Sequence, residues 1–444
     1  MKSVLCLDLG ASSGRAIIVT NNNNCLELNE VHRFPTKTLN KNGKIYWDLP
    51  YILNEIKIGI KKALKENANI RSLGIDTWGC DYGWLDENGQ FFRNPRSYRT
   101  SIPQKVIDEV HNKISLEEHY NICGNGHFAF NSIYQLYHDI KYENILENGA
   151  KEFLFMPNLI LYYLTGEKVW EYTIASTSGL LNAENRDWSK TIFQKLELPS
   201  TIKGELTHPG TTSYFLKDEI LKELDISQNI PIVCVPGHDS ACAVIGANLD
   251  NNSAYLINGT WSLLGVELSK TITDLVGLKK GLVNEGSLEK KIRFMSMTIG
   301  TLPLQSLRNQ WKKENEDIDF KDFSNLAKNS ILDNHIEITE EFLNTTDIEN
   351  LIKDKYFKKY HSVINSKEDI LRIIYNSLGN NYRESLELIK TLSNKEINNV
   401  VLLGGGNQDS FLIEIIKKSF DCSITIGPIE ASVTGNALAQ FKSL

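Results

Sequence analysis

Three glycine turns that each follow an apolar run are the stretches of this sequence best suited to binding an anion. They lie at residues 8–10, 258–260 and 404–406 and read Asp-Leu-Gly, Asn-Gly-Thr and Gly-Gly-Gly. Glycine lets backbone N–H groups approach phosphate oxygens, because no Cβ stands in the way. One such turn is usually only a turn, but three in one chain favour a nucleotide site. The sequence has no G-x-x-x-x-G-K-[ST] motif, which excludes a P-loop.

Asp239 lies between an apolar run at residues 230–235 and a stretch of small residues at 240–247. The run predicts a buried strand, and the small residues predict a helix. At this corner Asp239 has two interpretations, which are compatible with each other. One interpretation is the N-cap of the helix, and the other is a general base that accepts a hydroxyl proton. The helix N-terminus would keep the carboxylate of such a base ionised.

Other residues near these turns also have two interpretations. Asp8 is either a turn residue at a strand end or an oxygen ligand for magnesium, which prefers carboxylates and phosphates. His238 and Trp78, each taken singly, are more often packing residues than ligands. The stretch 124–129 has the spacing of a dinucleotide fingerprint, but no strand precedes it, so we do not interpret it as one.

The elements that must position these residues form a pattern that occurs twice. Strands are predicted at 3–8, 15–20, 26–34 and 72–76, with an amphipathic helix at 50–65 before the last of them. Three antiparallel strands, a helix and another strand open a ribonuclease-H-like unit. After a polar junction at 248–253 the opening recurs, with strands predicted at 253–258 and 262–268. The sequence therefore predicts two lobes of related topology.

The remaining predicted elements are mostly helical. They are helices at 104–113, 133–144, 159–164, 369–392 and 408–419, a strand at 400–403, and a further helix from near residue 430. The polar region 329–366 carries no pattern that assigns an element to it.

The composition is that of an ordinary globular protein. Of 444 residues, 41% are hydrophobic and 23% charged, and the formal net charge of −7 gives no reason to expect nucleic acid. Seven cysteines without CxxC spacing favour a reducing compartment, with neither zinc nor a disulfide framework. Asp8 interrupts the apolar N-terminal run, and Pro157 and Asn158 interrupt a later run at 153–164. We therefore expect a cytoplasmic protein with no membrane partner.

A series of motifs along the whole chain resembles the FGGY carbohydrate kinases, a family of the actin-like ATPase superfamily. The motifs are DLGASSGR (8–15), IDTWGCD (75–81), WEYTIAST (170–177), THPG (207–210), GHDSA (237–241), NGTWSLLG (258–265), NEG (284–286) and GPIEAS (427–432). The resemblance implies an α/β protein with two actin-like (ribonuclease-H-like) lobes and an ATP/sugar cleft between them. Residues 1–247 would bind the sugar and carry the first phosphate loop. Residues 248–444 would carry the second phosphate loop and bind adenosine.

The resemblance also implies roles for individual residues. Asp239 would take the proton from the C1 hydroxyl of a ketose, which then attacks the γ-phosphate of ATP. Asp8 would help to place Mg²⁺. The implied sugar-site residues are Trp78, Gly79, Asp81, His238 and Ser240. The implied nucleotide-site residues are Ala11, Ser12, Ser13, Gly14, Arg15, Gly259, Thr260, Gln305 and Gly405.

The DLGASSGR and DTWG versions of the motifs resemble the members that phosphorylate L-rhamnulose at O1 in rhamnose catabolism, as monomers or homodimers. The alternatives are a kinase for another deoxy-ketose such as L-fuculose, or a non-catalytic protein that binds sugar or nucleotide. Intact Asp8, Asp239 and Thr260 favour an enzyme, since a binding protein needs no base. Some positions expected near the sugar or the adenine depart from the family pattern, namely Thr100, Asn158, Met297, Leu302 and Asp409.

Overall fold

Two six-stranded β-sheets, each flanked by helices, form the frame of the protein. The computed structural model describes residues 2–23, 25–67, 69–126, 128–210, 212–227, 229–314 and 318–444. Each sheet is built mainly from one half of the chain. Within the described residues, none of the helices combines the length and the apolar character needed to span a bilayer.

The first half of the chain contributes the sheet order β13-β14-β6-β1-β2-β3, together with short hairpins and a series of helices. Its strands are β1 (Lys2–Leu9), β2 (Ser13–Asn22), β3 (Cys25–Pro35), β4 (Thr38–Lys41), β5 (Lys44–Trp47), β6 (Ile70–Thr77), β7 (Tyr82–Asp86), β8 (Ala150–Phe155), β9 (Trp170–Glu171), β10 (Leu181–Asn182), β11 (Asp187–Trp188), β12 (Leu206–Thr207), β13 (Ser213–Phe215) and β14 (Pro231–Val233). Its helices are α1 (Leu49–Glu66), α2 (Gln104–Lys113), α3 (Leu116–Cys123), α4 (Ser132–Lys141), α5 (Met156–Thr165), α6 (Tyr172–Ala175), α7 (Lys190–Lys195), α8 (Asp218–Leu224) and α9 (Asp239–Gly246).

The second half contributes the sheet order β17-β18-β16-β15-β19-β20. Its strands are β15 (Ser253–Asn258), β16 (Trp261–Leu268), β17 (Leu282–Gly286), β18 (Ile292–Ile299), β19 (Asn399–Leu403) and β20 (Ser423–Ile426). Its helices are α10 (Leu275–Lys279), α11 (Leu302–Lys313), α12 (Phe320–Lys328), α13 (Glu341–Asn344), α14 (Ile348–Tyr360), α15 (Lys367–Ser393), α16 (Ser410–Ser419) and α17 (Ala431–Ser443).

The two sheets share one arrangement at their centres. In the first sheet β1 pairs antiparallel with β2 on one side and parallel with β6 on the other. In the second sheet β15 pairs antiparallel with β16 and parallel with β19 in the same way. Both β1 and β15 are buried along almost their whole length, since helices cover both faces of each sheet. The predicted α/β fold with two lobes of related topology is confirmed.

Most predicted elements are confirmed, and the differences have local causes. The helix predicted at 408–419 begins at Ser410, because the Asp409 side chain accepts from Phe411 N and Leu412 N and caps it. The buried strand predicted at 230–235 spans only Pro231–Val233. The unassigned region 329–366 contains α13 and α14. In α14 only a narrow stripe of Ile348, Ile352 and Tyr356 is buried, too few apolar positions to stand out in the sequence.

The helix α17 packs on the first sheet although it lies at the end of the second half. Val433 and Ala437 pack against Val4 and Cys6 of β1, and α17 also packs against α9 with their backbones in close contact. A Cβ on Gly435 would lie 1.8 Å from the Cys242 carbonyl oxygen. The division into 1–247 and 248–444 stays a prediction, and residues 431–443 share the core of the first sheet.

Candidate active site

A cavity of about 880 Å³ lies between the two sheets and is lined by residues from both. Its walls include the β1–β2 turn, the start of α9, and the turns that follow β15 and β19. The predicted site residues that line it are Asp8, Ala11, Ser12, Ser13, Arg15, Trp78, Gly79, His238, Asp239, Ser240, Thr260, Gln305 and Gly405. The fold therefore brings together positions that span almost the whole sequence.

Gly14 and Gly259, two glycines of the predicted nucleotide site, lie just behind the cavity wall. A Cβ on Gly14 would lie 2.3 Å from the Phe34 ring, so packing explains this glycine. Gly259 donates its N–H to Trp261 O at 3.1 Å, and its carbonyl oxygen accepts from Thr301 N at 2.8 Å. Both glycines shape the turns whose neighbouring residues line the cavity, and neither lines the cavity itself.

Asp81 is fully buried and does not line the cavity, which corrects the prediction that it binds the sugar directly. Its Oδ2 accepts from Trp47 Nε1 at 2.6 Å, Trp78 Nε1 at 3.0 Å and Tyr98 N at 3.2 Å. Burial raises the pKa of Asp81 to about 6, although these donors lower it. Since Trp78 and Tyr98 line the cavity, Asp81 holds two of its walls in place from behind.

Asp239 is the first residue of α9, and His238 occupies the N-cap position, so the N-cap interpretation of Asp239 is wrong. The Asp239 carboxylate accepts from the N–H of the adjacent Ser240 at 2.6 Å, and 34% of its side chain is exposed to the cavity. Burial raises its pKa to about 6; His238 lowers the pKa and Asp8 raises it. Asp239 is therefore ionised at neutral pH, with a pKa close to the range in which a base works best.

Asp8 lies at the end of β1 and is held by Arg15, whose Nε donates to Asp8 Oδ2 at 3.1 Å. The same guanidinium contacts Glu430, which directly precedes α17. Arg15 therefore joins the end of β1 to the loop that leads into the last helix. All three side chains line the cavity.

Asp76 is a carboxylate that the sequence analysis missed. It pairs with Asp8 across β1 and β6, is fully buried, and accepts from Asn436 Nδ2 of α17 at 2.6 Å. Its Oδ1 faces no donor within the described residues. Burial, and next the charge of Asp8, raises the pKa of Asp76 well above its ordinary value. Its signal in the sequence is the same as that of Asp8, an aspartate at the end of an apolar strand.

The carboxylates of Asp8 and Asp239 both line the cavity, and the charge of Asp8 acts on Asp239. Oxygen donors of this kind are the ligands that Mg²⁺ prefers, so the residues fit the metal that the predicted chemistry requires.

A second group, His138, Asp139 and Glu143, also has ligand atoms within 4.8 Å of one another. There the guanidinium groups of Arg93 and Arg96 each lie 2.7 Å from Asp139 Oδ1 and also contact Glu143. These cations occupy the positions that a metal would need, so the group is an ion-pair cluster.

The second lobe contributes a polar pair and an open glycine turn. Gln305 Nε2 donates to Thr260 Oγ1 at 3.1 Å, which joins two of the predicted nucleotide-site residues. In the turn after β19, Gly404 has a φ of +87°, and a Cβ on Gly406 would lie 2.7 Å from the Asn258 side chain. A Cβ on Gly405 would meet no atom within 4 Å. The outer two glycines shape the turn, and the middle one leaves it open to the cavity.

Several lining residues were not predicted. They are Tyr98, Arg99, Asn125, Phe130, Asn131, Thr177, Trp261, Glu285, Gln408, Ile429 and Glu430, among others. Thr177, Glu285 and Glu430 lie inside motifs that the sequence analysis used, so the motifs carried a signal for them. Arg99 donates to Ala11 O at 2.9 Å and so touches the β1–β2 turn; it directly precedes Thr100, a position where the chain departs from the family pattern.

The positions that depart from the family pattern have clear structural roles. Thr100 donates to Ile45 O at 3.0 Å and accepts from Ile45 N at 2.8 Å. Asn158 accepts from Glu171 N at 3.2 Å, and Asp409 caps α16. Met297 lines the cavity, whereas Leu302 is the first residue of α11.

Residues 3–246 match the N-terminal domain of the FGGY family of carbohydrate kinases. The chain belongs to this family, whose members phosphorylate sugars with ATP. It is 31% identical to the rhamnulokinase of Oceanobacillus iheyensis, over 99% of this chain and 93% of that protein. It is also 31% identical to the rhamnulokinase of Mannheimia succiniciproducens, over 100% of this chain and 90% of that protein.

The fold is also that of solved sugar kinases. The xylulose kinase of Lactobacillus acidophilus superposes with a TM-score of 0.80 at 14% identity, over 100% of this chain and 89% of that one. The glycerol kinase of Plasmodium falciparum with ADP gives a TM-score of 0.80 at 16% identity, over 99% of this chain and 89% of that one. The two actin-like lobes with a cleft between them are thereby confirmed.

Proposed function

We propose that the protein is an ATP-dependent kinase that phosphorylates L-rhamnulose at O1 to give L-rhamnulose 1-phosphate, in rhamnose catabolism. The observation that carries this proposal is the position of Asp239. Its carboxylate lines the same cavity as the β1–β2 turn of the first lobe and Thr260 of the second. Identity of 31% to rhamnulokinases over nearly the whole chain supports L-rhamnulose as the sugar.

In this reaction Asp239 accepts the proton of the sugar C1 hydroxyl as O1 attacks the γ-phosphorus. The bond from that phosphorus to the bridging oxygen of ADP breaks, and Asp239 later releases its proton to water. Phosphoryl transfer asks a protein mainly for positioning and charge stabilisation. Backbone N–H groups of residues 11–13 and the hydroxyl of Thr260 would hold the phosphates from the two lobes. Arg15 would add a positive charge beside them.

Mg²⁺ fits the carboxylate set at the cavity, and Asp8 is the residue that would hold it. When bound, the metal supplies positive charge that neutralises the phosphate oxygens. Arg15 would orient Asp8 towards this position through their hydrogen bond.

The sugar would lie against Gly79, Trp78 and His238. A Cβ on Gly79 would lie 3.1 Å from His238 Nε2, so glycine keeps this ring nitrogen open to the cavity. Ser240, the residue after the base, lines the same wall.

A coupled assay for ADP release with L-rhamnulose, L-fuculose, D-xylulose and glycerol tests the proposal. We expect turnover with L-rhamnulose, and a ³¹P NMR spectrum of the product that shows a phosphate monoester on C1. Turnover with L-fuculose and none with L-rhamnulose would reassign the sugar. ATP binding without turnover of any substrate in the panel would support a non-catalytic protein.

The proposal includes a cytoplasmic location, because both ATP and a catabolic ketose are available there. It also includes a monomer or homodimer, with no nucleic-acid or membrane partner. Light scattering on the purified protein distinguishes the two oligomeric states.

A further inference from the structure

The β17–β18 hairpin of the second lobe is docked on the first lobe at the floor of the cleft. Asn284 donates through Nδ2 to Gly124 O at 3.0 Å, and Gly286 N donates to Ser176 Oγ at 2.7 Å. A Cβ on Gly286 would lie 2.4 Å from the Tyr172 ring, so the two surfaces meet without a gap. This hairpin carries the NEG motif. The proposed phosphoryl transfer assigns it no role.

Two charged residues of this hairpin reach the residues on either side of the base. Arg293, on β18, is fully buried. Its Nη1 donates to Ser240 Oγ at 2.8 Å, and its Nη2 donates to His238 Nδ1 at 3.2 Å. Glu285 faces Arg293 across the antiparallel pair and accepts from Nη2 at 2.7 Å. The residue between His238 and Ser240 is Asp239.

Only the guanidinium group of arginine can donate to Ser240, His238 and Glu285 at the same time. It is planar and carries five N–H donors in a rigid fork. Arg293 Nε donates to Gly286 O at 3.0 Å, so one cation holds its own hairpin and two residues of the other lobe. Glu285 neutralises it: burial raises the pKa of Glu285, but the charge of Arg293 is the largest of the effects that lower it, and the pKa is lowered overall. The pair is therefore ionised although it is buried.

The arrangement determines which nitrogen of His238 carries the proton. Arginine has no acceptor, so a ring nitrogen that Arg293 contacts must itself accept, and the proton of the neutral ring lies on Nε2. That nitrogen is the one beside Gly79 and the cavity. Glu285 Oε2 also lies 3.3 Å from Nδ1. Without Arg293 this carboxylate would attract the proton to Nδ1 and leave Nε2 as an acceptor.

We propose that Arg293, neutralised by Glu285, is a positioning residue for the sugar. It holds His238 with Nε2–H directed at a hydroxyl oxygen of the ketose and holds Ser240 beside the base. The sugar site of the first lobe is complete only while the hairpin of the second lobe is docked on it. This inference rests on the proposed sugar-kinase function.

The test compares Arg293→Lys with wild-type protein in steady-state kinetics, with each substrate varied in turn. Lysine keeps the positive charge, but its single ammonium group cannot contact Ser240, His238 and Glu285 in the way that the two Nη atoms do. We expect KM for the ketose to rise roughly 10- to 100-fold, the effect of losing charge-assisted hydrogen bonds, with KM for ATP changed less than about threefold.

Arg96→Lys is the matched control. Like Arg293, Arg96 is buried and ion-paired. Its partners are the carboxylates of Asp139 and Glu143, and it does not line the cavity. This variant should lose stability and keep both KM values. Equal increases of the ketose KM in Arg293→Lys and Arg96→Lys would overturn the inference, as would an unchanged ketose KM in Arg293→Lys. If the wild type phosphorylates no ketose, the proposed function itself fails, which is a different outcome.

A measurement on the unaltered chain keeps the inference testable if Arg293→Lys does not fold. ¹⁵N NMR of histidine-labelled protein distinguishes the two neutral tautomers, and the spectrum of His238→Gln identifies the His238 signals among the nine histidines. We expect the Nε2–H tautomer. A neutral His238 that carries its proton on Nδ1 would contradict the inference.

Discussion

At the scale of single residues, the site depends on carboxylates that the fold keeps in different protonation states. Asp76 is buried without a compensating cation, and its pKa is raised well above the ordinary value. Asp8 has Arg15 as an ion-pair partner. The pKa of Asp239 is raised to about 6, mainly by burial. Differences in burial and charge therefore distinguish a deeply buried carboxyl group, an ion-paired carboxylate and the proposed base around one cavity.

Asp239→Asn should lower turnover by about 10²–10⁴-fold, because asparagine cannot accept the hydroxyl proton. The folded-state pKa of Asp239 is raised, so its ionised form opposes folding, fully above pH 6 and not at all below the unfolded pKa of about 3.9. The melting temperature of the variant should therefore equal or exceed that of wild type at pH 8, with the difference smaller at pH 4. Calorimetry and the coupled assay test this, and near-normal turnover would make Asp239 a structural residue.

The pH dependence of the reaction should report the same group. Because the base must be ionised, kcat/KM for the ketose should fall about tenfold per pH unit below pH 6. The residual activity of Asp239→Asn should lack this dependence, which separates Asp239 from Asp81, whose pKa is also about 6. An acid limb with a midpoint near 4 would mean that Asp239 is not the titrating base.

At the scale of elements, the glycine turns divide into residues that shape a turn and residues that leave room for a ligand. Gly405→Val should fold normally, since a Cβ there meets no atom within 4 Å, but its side chain would enter the cavity. Overpacking of a close-fitting surface costs about 1–3 kcal/mol. We therefore expect KM for ATP to rise roughly tenfold or more. Gly259→Val, one residue behind the cavity wall, is the comparison and should change KM for ATP less. A larger rise of the ATP KM in Gly259→Val than in Gly405→Val would mean that the nucleotide contacts the 258–260 turn more closely than the 404–406 turn.

The crossing of α9 and α17 should be intolerant of any side chain. Gly435→Ala brings a Cβ to 1.8 Å from Cys242 O, and both helices must move apart to relieve the overlap. We expect at least about 1–3 kcal/mol of destabilisation in urea unfolding. Gly43→Ala, on an open hairpin turn, is a control with no atom within 4 Å, although its φ of +76° carries a smaller strain of its own. Equal stability of the two variants would contradict the close contact.

At the scale of the whole molecule, the sequence predicted local features well and lobe-to-lobe contacts poorly. The strands and glycine turns have their signals in consecutive residues, and so does the base at the start of a helix. Arg293 has none, because it acts through His238 and Ser240, more than 50 positions away in the chain. Asp81 was assigned to the wrong role for a similar reason: its donors Trp47 and Tyr98 come from strand β5 and from a loop more than 50 residues further along the chain. Only the folded chain shows which polar residues face the cavity and which support it from behind.

The docking of α17 on β1 has a consequence for how the protein is made. Cys6 Sγ donates to Val433 O, a contact between residues 427 positions apart. At about 5–20 residues per second, a ribosome needs roughly 20–80 s to add the residues that separate them. During that time the apolar face of Val4, Cys6, Ile17 and Val19 has no permanent cover, and it is a natural target for a chaperone. A chain released before α17 is complete would therefore be exposed to proteolysis, and it would not persist as a half-formed kinase.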